Sequence, residues 1–507
     1  MFNLGSINQK PQKTMNIMRK KPISAFEQDM QKSELKRVLG KWALTSLGIG
    51  AIIGTGIFVL TGVAAHEHAG PALTISFIIA GLGCLFAALS YSEFASILPV
   101  EGSAYAYSYG TVGELFAWLI GWNLILEYAM GSATVAVGWS AYLNKLLHLW
   151  NLHIPEWLCN DPGSVLAQIK EGKMKAENFS FIGNIPIAFN LPAFLIIWII
   201  TGVLIRGISE SAKTNNIMVA IKLGAVFFVI IAGAAYINTE NWTPFIPDRV
   251  IDAKGVGHYG WQGIMTAAGI VFFAYIGFDA VSTQAGEAKN PTKDIPFAII
   301  ASLFICTVLY ILVVLVLTGM VNYKDIDIKA PIASAFGDKG LSYAVYIITI
   351  AAVAGLTSVL LVMLLSQTRI FLGMAKDGLL PHRMFGYIHP KFKTPARSTV
   401  LVGAIVSVVS ALTPINNLAE MTSIGTLLAF AMISAAVWML RLKEPNLHRP
   451  FKVPALPVVA SLGVLFNVAM MVSLKEATWV RLIVWVAIGL LIYFLYSYKN
   501  SKLNNIK

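Results

Sequence analysis

The most constraining feature of the sequence is its succession of apolar stretches, each long enough to form a membrane-spanning helix. About 20 apolar residues are needed to cross the hydrocarbon core, where an uninterrupted helix satisfies its own backbone polar groups. Only 13% of the residues are charged, far fewer than in a soluble globular domain. The chain is therefore predicted to be an all-α membrane protein with 12 transmembrane helices. The predicted spans cover residues 43–65, 70–98, 111–141, 188–205, 214–237, 262–286, 296–321, 341–372, 397–412, 415–440, 453–473 and 478–498.

The distribution of positive charge predicts how the chain is oriented. If the N-terminus is cytoplasmic, 26 of the 38 Lys and Arg residues fall on the inner side and 11 on the outer side. Because Lys and Arg are retained on the cytoplasmic side of membranes, both termini are predicted to be cytoplasmic in a multi-pass protein of the cell membrane. The net charge of +12 then reflects loop topology and contacts with anionic membrane lipids rather than nucleic-acid binding.

The first span carries five glycines between Gly48 and Gly62. A helix inside the membrane is interrupted only where other groups satisfy the freed backbone N–H and C=O groups. At Gly54-Thr55-Gly56 two glycines flank a β-branched residue, an arrangement that disfavours a helix. We expect the helix to break there, so that the amides of its outer half face an anionic ligand. On the glycines alone, close helix packing is the alternative.

The sixth span places Gly277 and Asp279 deep in an apolar segment. A carboxylate costs several kcal/mol at that depth unless it is paired or faces a cavity. Asp279 is therefore predicted to be functional or to cap a broken helix, with a second break between Ala274 and Gly277. The alternative is that Asp279 lies near the inner interface and is solvated.

The two expected breaks lie in the first and sixth spans, which are equivalent positions if ten helices form two repeats of five. Paired interrupted helices at equivalent positions are typical of transporters whose substrate site lies at the middle of the bilayer. Amides at the N-terminus of a half-helix bind a carboxylate, and carbonyls at a C-terminus bind an ammonium. The pattern thus predicts a receptor for the α-amino and α-carboxyl groups of an amino acid.

Three motifs resemble those of the amino acid-polyamine-organocation (APC) transporters. Residues 53–58, Ile-Gly-Thr-Gly-Ile-Phe, are similar to the family's I-G-S-G-I-F motif. Residues 273–279, Phe-Ala-Tyr-Ile-Gly-Phe-Asp, resemble its sixth-helix motif of aromatic-x-x-Ile-Gly-x-acid. Residues 287–296, Glu-Ala-Lys-Asn-Pro-Thr-Lys-Asp-Ile-Pro, resemble its loop signature E-x-x-x-P-x-x-x-I-P. The resemblance covers roughly residues 35–500 and is closest to the cationic amino acid transporter branch.

The resemblance implies the five-plus-five inverted-repeat fold of the sodium-coupled leucine transporters, with helices 1 and 6 broken. Residues 42–440 would form the ten-helix transport core and residues 441–498 two additional helices, between cytoplasmic segments 1–41 and 499–507. Phe273 would act as an occluding gate, and Thr55 replaces the more usual serine. The residues whose backbone groups would hold the substrate are Ile52, Thr55, Gly56, Phe273, Ala274 and Ile276.

Lys222 is the one Lys or Arg that the predicted spans place inside the membrane. Burial disfavours the charged form of an amine, which makes Lys222 a candidate proton carrier. The resemblance adds that a fifth-helix lysine takes the place of a sodium ion near the first-helix break in proton-coupled members. The alternative is that Lys222 extends toward the inner interface.

Two further side chains are candidates for the pocket that receives the substrate side chain. Asn123 and Glu127 share one face of the third span, and the resemblance associates an acid there with cationic substrates or the permeation path. A carboxylate hydrogen-bonded to a neighbouring helix is the alternative for Glu127. Met363 in the eighth span would fill the space that a long side chain needs, which favours small neutral amino acids such as alanine. Arginine, lysine or ornithine transport or exchange is the alternative.

Other function classes find little support in the sequence. No G-x-x-x-x-G-K-[ST] motif indicates ATP-driven transport, and no nucleophile–base pair in the spans indicates an enzyme. No cofactor or metal is predicted, because His66-Glu67-His68 lacks a third ligand candidate nearby and is interpreted as a solvated loop. A passive channel is the alternative from a different class. The predicted partners are an L-amino acid, protons and membrane lipids; a small accessory membrane subunit is left open.

Overall fold

The computed structural model describes residues 19–22, 39–97, 103–206, 211–251 and 257–504. Most of segment 1–41 therefore lies outside the described residues. The α-helices, in chain order, are α1 (Lys41–Ile52), α2 (Thr55–Phe58), α3 (Leu60–Val63), α4 (Leu73–Ile97), α5 (Ser103–Thr111), α6 (Glu114–Leu149), α7 (Pro162–Lys170), α8 (Leu191–Arg206), α9 (Ser211–Ala234), α10 (Gly260–Val271), α11 (Pro291–Met320), α12 (Pro331–Asp338), α13 (Ser342–Lys376), α14 (His382–Phe385), α15 (Ala396–Leu412), α16 (Ile415–Lys443), α17 (Leu456–Val472), α18 (Glu476–Ile492) and α19 (Tyr498–Asn500).

Strands are confined to two short antiparallel hairpins in the described part of the chain. Strand β1 (Phe181–Ile182) pairs with β2 (Ile185–Pro186), with Phe181 opposite Pro186. Strand β3 (Val250–Ile251) pairs with β4 (Gly257–His258) immediately before α10. Both hairpins lie in connections that the sequence predicts to be on the outer face.

Seven helical segments of the described residues are long and apolar enough to cross a membrane. A further three apolar helices, α8, α15 and α17, are shorter. These segments establish an all-α membrane protein, whereas the count of 12 spans and the inverted repeat stay predictions. The seven segments are Leu60–Ile97, Ile217–Ala234, Gly260–Ala285, Pro291–Met320, Ser342–Lys376, Ile415–Lys443 and Glu476–Asn500.

The third predicted span differs most from the structure. Helix α6 runs to Leu149, so it extends about two turns into the predicted outer loop 142–187. Residues 103–111 form the separate helix α5, which lies in the predicted connection between the second and third spans. Span prediction from hydropathy reports only the part of a helix that is apolar, and a helix formed by residues such as Asn144 and Lys145 continues beyond it.

The first span lies in the interior of the helical bundle. Helix α1 packs against α9, α11 and α13, and α6 packs along both α13 and α16. Helix α4 lies against α11 and α10. The two interrupted spans are thereby enclosed by other helices, which shield their freed backbone groups from lipid.

Candidate functional site

The helix of the first span is interrupted after Ile52. Ile53 is extended, with φ −71° and ψ 105°, and Gly54 has φ −157° and ψ −142° before α2 begins at Thr55. Among the described residues, the amides of Gly54, Thr55 and Gly56 donate no hydrogen bond to another backbone group. Because these amides begin a helical segment, they carry the partial positive charge of a helix N-terminus, which favours an anionic ligand.

The helix of the sixth span is interrupted beyond Val271. A 3₁₀ turn, Phe272–Tyr275, is followed by extended Ile276 and by Gly277 with φ +116°. A second 3₁₀ segment covers Asp279–Glu287. At Gly277 a Cβ atom would lie 2.9 Å from the carbonyl oxygen of Ala51, in a φ region that side chains disfavour. Both the turn and the contact with the end of α1 therefore require glycine there.

The two interruptions contact each other. A Cβ atom on Gly56 would overlap the backbone of Ala274, so glycine allows the two chain segments to touch. The hydroxyl of Tyr310, on α11, lies 2.9 Å from the carbonyl oxygens of both Ile52 and Ala274. A tyrosine has one hydroxyl proton, so it donates to one of these carbonyls at a time and bridges the two breaks.

The six residues predicted to hold the substrate through their backbone are brought together at these two breaks, and all six are buried. Thr55 packs against α6, where a Cβ atom on Gly138 would lie 2.7 Å from its Cγ2 atom. The Thr55 hydroxyl has no hydrogen-bond partner within the described part of the chain. The phenyl ring of Phe273 is buried beside this centre.

Lys222 is buried against the first break. Its Nζ atom donates to the carbonyl oxygens of Gly50, at 2.6 Å, and Ile53, at 3.1 Å. Its side chain is fully buried, so the alternative in which it extends to the inner interface is wrong. Gly355 on α13 makes room for it, because a Cβ atom there would lie 2.9 Å from the Lys222 Cγ atom.

Asp279 is buried rather than solvated, so the alternative that places it in water at the interface is wrong. Its Oδ2 atom accepts a hydrogen bond of 2.7 Å from the hydroxyl of Tyr128 on α6. This contact ties the segment after the second break to α6, one residue beyond Glu127. The Asp279 carboxylate therefore has a structural partner in addition to its position in the sixth-span motif.

Glu127 and Met363 face the same region between α6, α13 and α16. Both Glu127 carboxylate oxygens are buried, and their neighbours include Asp279 and the Thr426 hydroxyl on α16, which also donates to the Thr422 carbonyl. The position of Thr426 is consistent with the alternative of a carboxylate that interacts with a neighbouring helix. The Met363 sulfur would lie 3.2 Å from a Cβ atom on Gly131, one turn from Glu127 on the same face of α6.

A cavity of about 1240 Å³ opens on the predicted outer face. Its lining reaches Val59, just after α2, and Val137 and Ala141 on α6. At its rim, Lys145 donates to the Ser334 hydroxyl, which donates to Asp327. The cavity thus extends from the polar loops down to the outer half of the first span.

The His66-Glu67-His68 segment differs from its interpretation as a solvated loop. It forms a π-helical turn, Ala64–Ala69, and His68 is buried and stacked on His258 at 5.8 Å between ring centroids. The hydroxyl of Tyr259 donates to the His66 carbonyl at 2.6 Å. The segment therefore joins the outer end of the first span to the start of the sixth. No group of three potential metal ligands occurs among the described residues.

Tyr310, Gly355 and Tyr128 belong to this centre, but the local sequence does not indicate which residues they contact. Tyr310 lies one helical turn from Cys306 and two from Ser302, so a polar stripe along an apolar span is the one pattern that indicates an inward-facing side of α11. The partners of Gly355 and Tyr128 are more than 100 residues distant in the chain, and their roles follow only from the packed structure.

Comparison with known proteins bears on what this centre binds. The family model described as amino acid permease matches residues 39–496. A methylthioribose transporter of Bacillus subtilis is 43% identical over 489 residues, covering 96% of this chain and 99% of the relative. The branched-chain amino acid permease BcaP of Bacillus subtilis is 45% identical over 491 residues, with the same coverage. The vacuolar cationic amino acid transporter 4 of Arabidopsis thaliana is 36% identical over 414 residues, covering 82% of this chain and 64% of the relative.

Proposed function

The chain belongs to the amino acid permease family of the APC superfamily, and on this premise we propose that it is a proton-coupled secondary transporter of neutral aliphatic L-amino acids. It would work by alternating access in a 12-span, five-plus-five inverted-repeat fold. The observation that carries the proposal is the contact between two interrupted helices deep in the bundle, where backbone groups are left without helical partners.

In the proposed complex, backbone groups bind the part that all amino acids share. The amides of Gly54, Thr55 and Gly56 would bind the α-carboxylate, favoured by the dipole of the helical segment that follows. Carbonyl oxygens at the two breaks, those of Ile52, Phe273, Ala274 and Ile276, would bind the α-ammonium. The Tyr310 hydroxyl lies within hydrogen-bond distance of two of these carbonyls and donates to one at a time, so it would position them rather than bind the substrate itself.

Proton coupling is proposed to act through Lys222. The protonated amine has three donors, and two of them are used by the Gly50 and Ile53 carbonyls beside the first break. Loss of the proton removes the charge from these hydrogen bonds, which weakens the hold on the inner half of the first span. Protonation at Lys222 and the conformation of the substrate-binding break would thereby be linked.

The proposed substrate class follows from the side-chain region. Met363 lies against Gly131, and the methyl group of Thr422 would lie 3.5 Å from a Cβ atom on the same glycine. A thioether and a methyl group present an apolar, adaptable surface suited to an aliphatic side chain. Alanine is the small member of this class, and the name of the BcaP relative extends the candidates to branched-chain amino acids.

A second candidate substrate class is cationic amino acids. Glu127 favours it, because its carboxylate is buried and forms no ion pair with a cation among the described residues. An unpaired buried charge is costly, and a lysine or arginine side chain would supply the missing partner. The neutral class is preferred, since a carboxyl group that carries its own proton has no such cost and Met363 occupies the space that a long side chain would need.

The proposed setting is the cell membrane, with both termini cytoplasmic and lipids surrounding the bundle. A carrier and a passive channel are distinguished by counterflow in proteoliposomes. A carrier is expected to accelerate uptake of labelled alanine or leucine when unlabelled amino acid is loaded inside, whereas a continuous pore gives no such stimulation.

The substrate is tested by competition binding to the purified protein with alanine, leucine, arginine and lysine. The proposal expects alanine or leucine to displace a labelled neutral amino acid, and arginine and lysine to displace it weakly. Displacement by arginine and lysine alone would establish the cationic alternative. Binding of the α-methyl ester of the preferred amino acid provides a control for the headgroup, since esterification removes the carboxylate that the amides would bind.

A further inference from the structure

The β1–β2 hairpin presents apolar side chains that nothing in the described chain covers. The exposed fractions are 40% for Phe181, 74% for Ile182, 62% for Ile185 and 45% for Ile187. Four large apolar side chains on one short hairpin form a patch of the kind that marks a protein or membrane contact. The opposite side of the hairpin is not available for this role, because Phe179 and Ala188 are buried against Val165 of α7.

The described helix that follows the hairpin is apolar over too short a length to cross a bilayer alone, because its apolar stretch ends at Arg206. Helix α8 has 16 residues and so measures about 24 Å, against a hydrocarbon core of about 30 Å. Its start is fixed, because the Asn190 side chain accepts hydrogen bonds from the Ser140 hydroxyl and the Ala193 amide. The backbone N–H of Asn190 donates to the Ala411 carbonyl near the end of α15. This N–H is therefore not used to extend α8 by another helical turn at this end.

The sequence continues the apolar character of α8 into the hairpin. No Asp, Glu, Lys or Arg occurs in residues 178–205, a stretch that includes the whole hairpin and all of α8 before Arg206. Leu195, Trp198 and Ile199 are exposed on the outer surface of α8, where a membrane protein contacts lipid. The apolar surface that faces lipid along α8 therefore continues beyond the start of the helix into the β1–β2 hairpin.

Trp157 lies beside the base of the hairpin. Its carbonyl oxygen accepts a hydrogen bond of 2.8 Å from the Phe189 amide, and 46% of its side chain is exposed. Tryptophan is concentrated at the level of the lipid headgroups, where its ring has an apolar body and a polar N–H. An exposed tryptophan at this position is expected if the base of the hairpin lies at the interface.

We infer that the β1–β2 hairpin is a lipid anchor: the exposed apolar side chains on and beside its two strands enter the leaflet on this face and extend the apolar band that α8 leaves short. The anchored segment includes α7, whose residues Ser164, Ala167 and Gln168 line the outer cavity. Lipid contact would thus hold one wall of that cavity in place. Such an anchor requires only that the chain spans a membrane, and it does not depend on which solute is carried.

The anchor is tested by nitroxide spin labels on the full chain in phosphatidylcholine vesicles. Cys159 is first changed to serine because it is partly exposed, whereas Cys84 and Cys306 are buried; the chain with this change alone is treated with label to measure background labelling. Ile182→Cys carries the label in the apolar patch. Glu177→Cys carries it at an exposed polar position in the same loop and is the matched control.

The label at position 182 is expected to collide more often with molecular oxygen, which partitions into lipid, than with a water-soluble nickel chelate. The label at position 177 is expected to show the reverse order. Equal access of the nickel chelate to both labels would overturn the inference, because the hairpin would then lie in water. Shielding of position 182 from both reagents would also overturn it, because the patch would then be covered by protein, such as a second copy of the chain.

Discussion

The Nζ atom of Lys222 lies 2.6 Å from the carbonyl oxygen of Gly50, a residue that precedes it by 172 positions in the chain. This hydrogen bond ends at a carbonyl of the last helical turn before the first break, and a second one reaches Ile53 within the break itself. The only cation buried among the described membrane helices is thus attached to the backbone that is proposed to bind substrate.

Replacing Lys222 with alanine is expected to remove proton-driven accumulation of substrate. Without the amine, neither the Gly50 nor the Ile53 carbonyl receives its hydrogen bond, and no group changes charge at the break. The check is uptake of labelled amino acid into proteoliposomes across a range of external pH. Lys145→Ala, which removes a lysine at the outer cavity, is the control for loss of charge. A wild-type pH profile in Lys222→Ala would contradict the coupling role.

Changing Gly355 to alanine is expected to impair transport in the same way without altering a charged group. The added methyl group would lie 2.9 Å from the Lys222 Cγ atom, too close for the side chain to keep its path to the first break. Overpacking of this kind costs about 1–3 kcal/mol. The measurement is pH-dependent uptake together with thermal stability of the purified protein.

Gly373→Ala is the matched control for that variant, because Gly373 lies on the same helix and its Cβ position has no neighbour within 4 Å. It is expected to transport like the unmodified protein. If Gly355→Ala and Gly373→Ala behave alike, the packing of Lys222 against α13 does not matter for coupling.

Tyr310→Phe is expected to weaken substrate binding by about fivefold. The loss corresponds to about 1 kcal/mol for one hydrogen bond, and it frees the Ile52 and Ala274 carbonyls to move apart. Isothermal titration with the preferred amino acid gives the affinity. Tyr346→Phe removes a comparable hydroxyl that donates to Leu149, far from both breaks, and is expected to leave affinity unchanged. Equal substrate affinity in the two variants would contradict the role of Tyr310 in positioning the Ile52 and Ala274 carbonyls.

Met363→Ala is expected to shift selectivity toward longer side chains. It removes the group that fills the space beside Gly131 and Glu127. The affinity for arginine or lysine, measured by competition, should rise by about tenfold relative to the affinity for alanine, equivalent to about 1.4 kcal/mol. Met374→Ala is the control for shortening a buried methionine. Met374 lies on the same helix, but its side chain packs against Gly121 rather than Gly131. Unchanged ratios would place the side-chain pocket elsewhere.

The sequence is most informative where local chemistry conflicts with a membrane helix. Glycines around Thr55 and an acid next to Gly277 indicate interruptions near those positions, and the described backbone is interrupted at residues 53–54 and 276–277. A lysine in an apolar span likewise indicates a buried amine with polar partners, because hydrocarbon alone cannot solvate the ammonium group. Each of these signals arises from a residue type that is unfavourable within an apolar membrane helix: glycine, a carboxylate or a lysine.

Contacts between distant residues could not be predicted in this way. Nothing near Gly355 distinguishes it from the other glycines of apolar helices, and its importance arises from Lys222, which approaches from another helix. Tyr310 shares a polar stripe with Cys306 and Ser302, but the stripe does not identify the carbonyls that its hydroxyl contacts, which lie at the two breaks. The extension of α6 to Leu149 was not predicted, because hydropathy identifies the apolar residues that cross the membrane and not the polar residues that continue the same helix beyond it.

An experimental structure of the protein with bound alanine or leucine, whichever binds more tightly, would locate the substrate relative to the two breaks. We expect the α-carboxylate within about 2.7–3.2 Å of the amides of Gly54, Thr55 or Gly56. We expect the α-ammonium at the carbonyls of Ile52 and the second break. An amino acid bound instead in the outer cavity, with these amides satisfied by protein groups, would contradict the proposed binding mode.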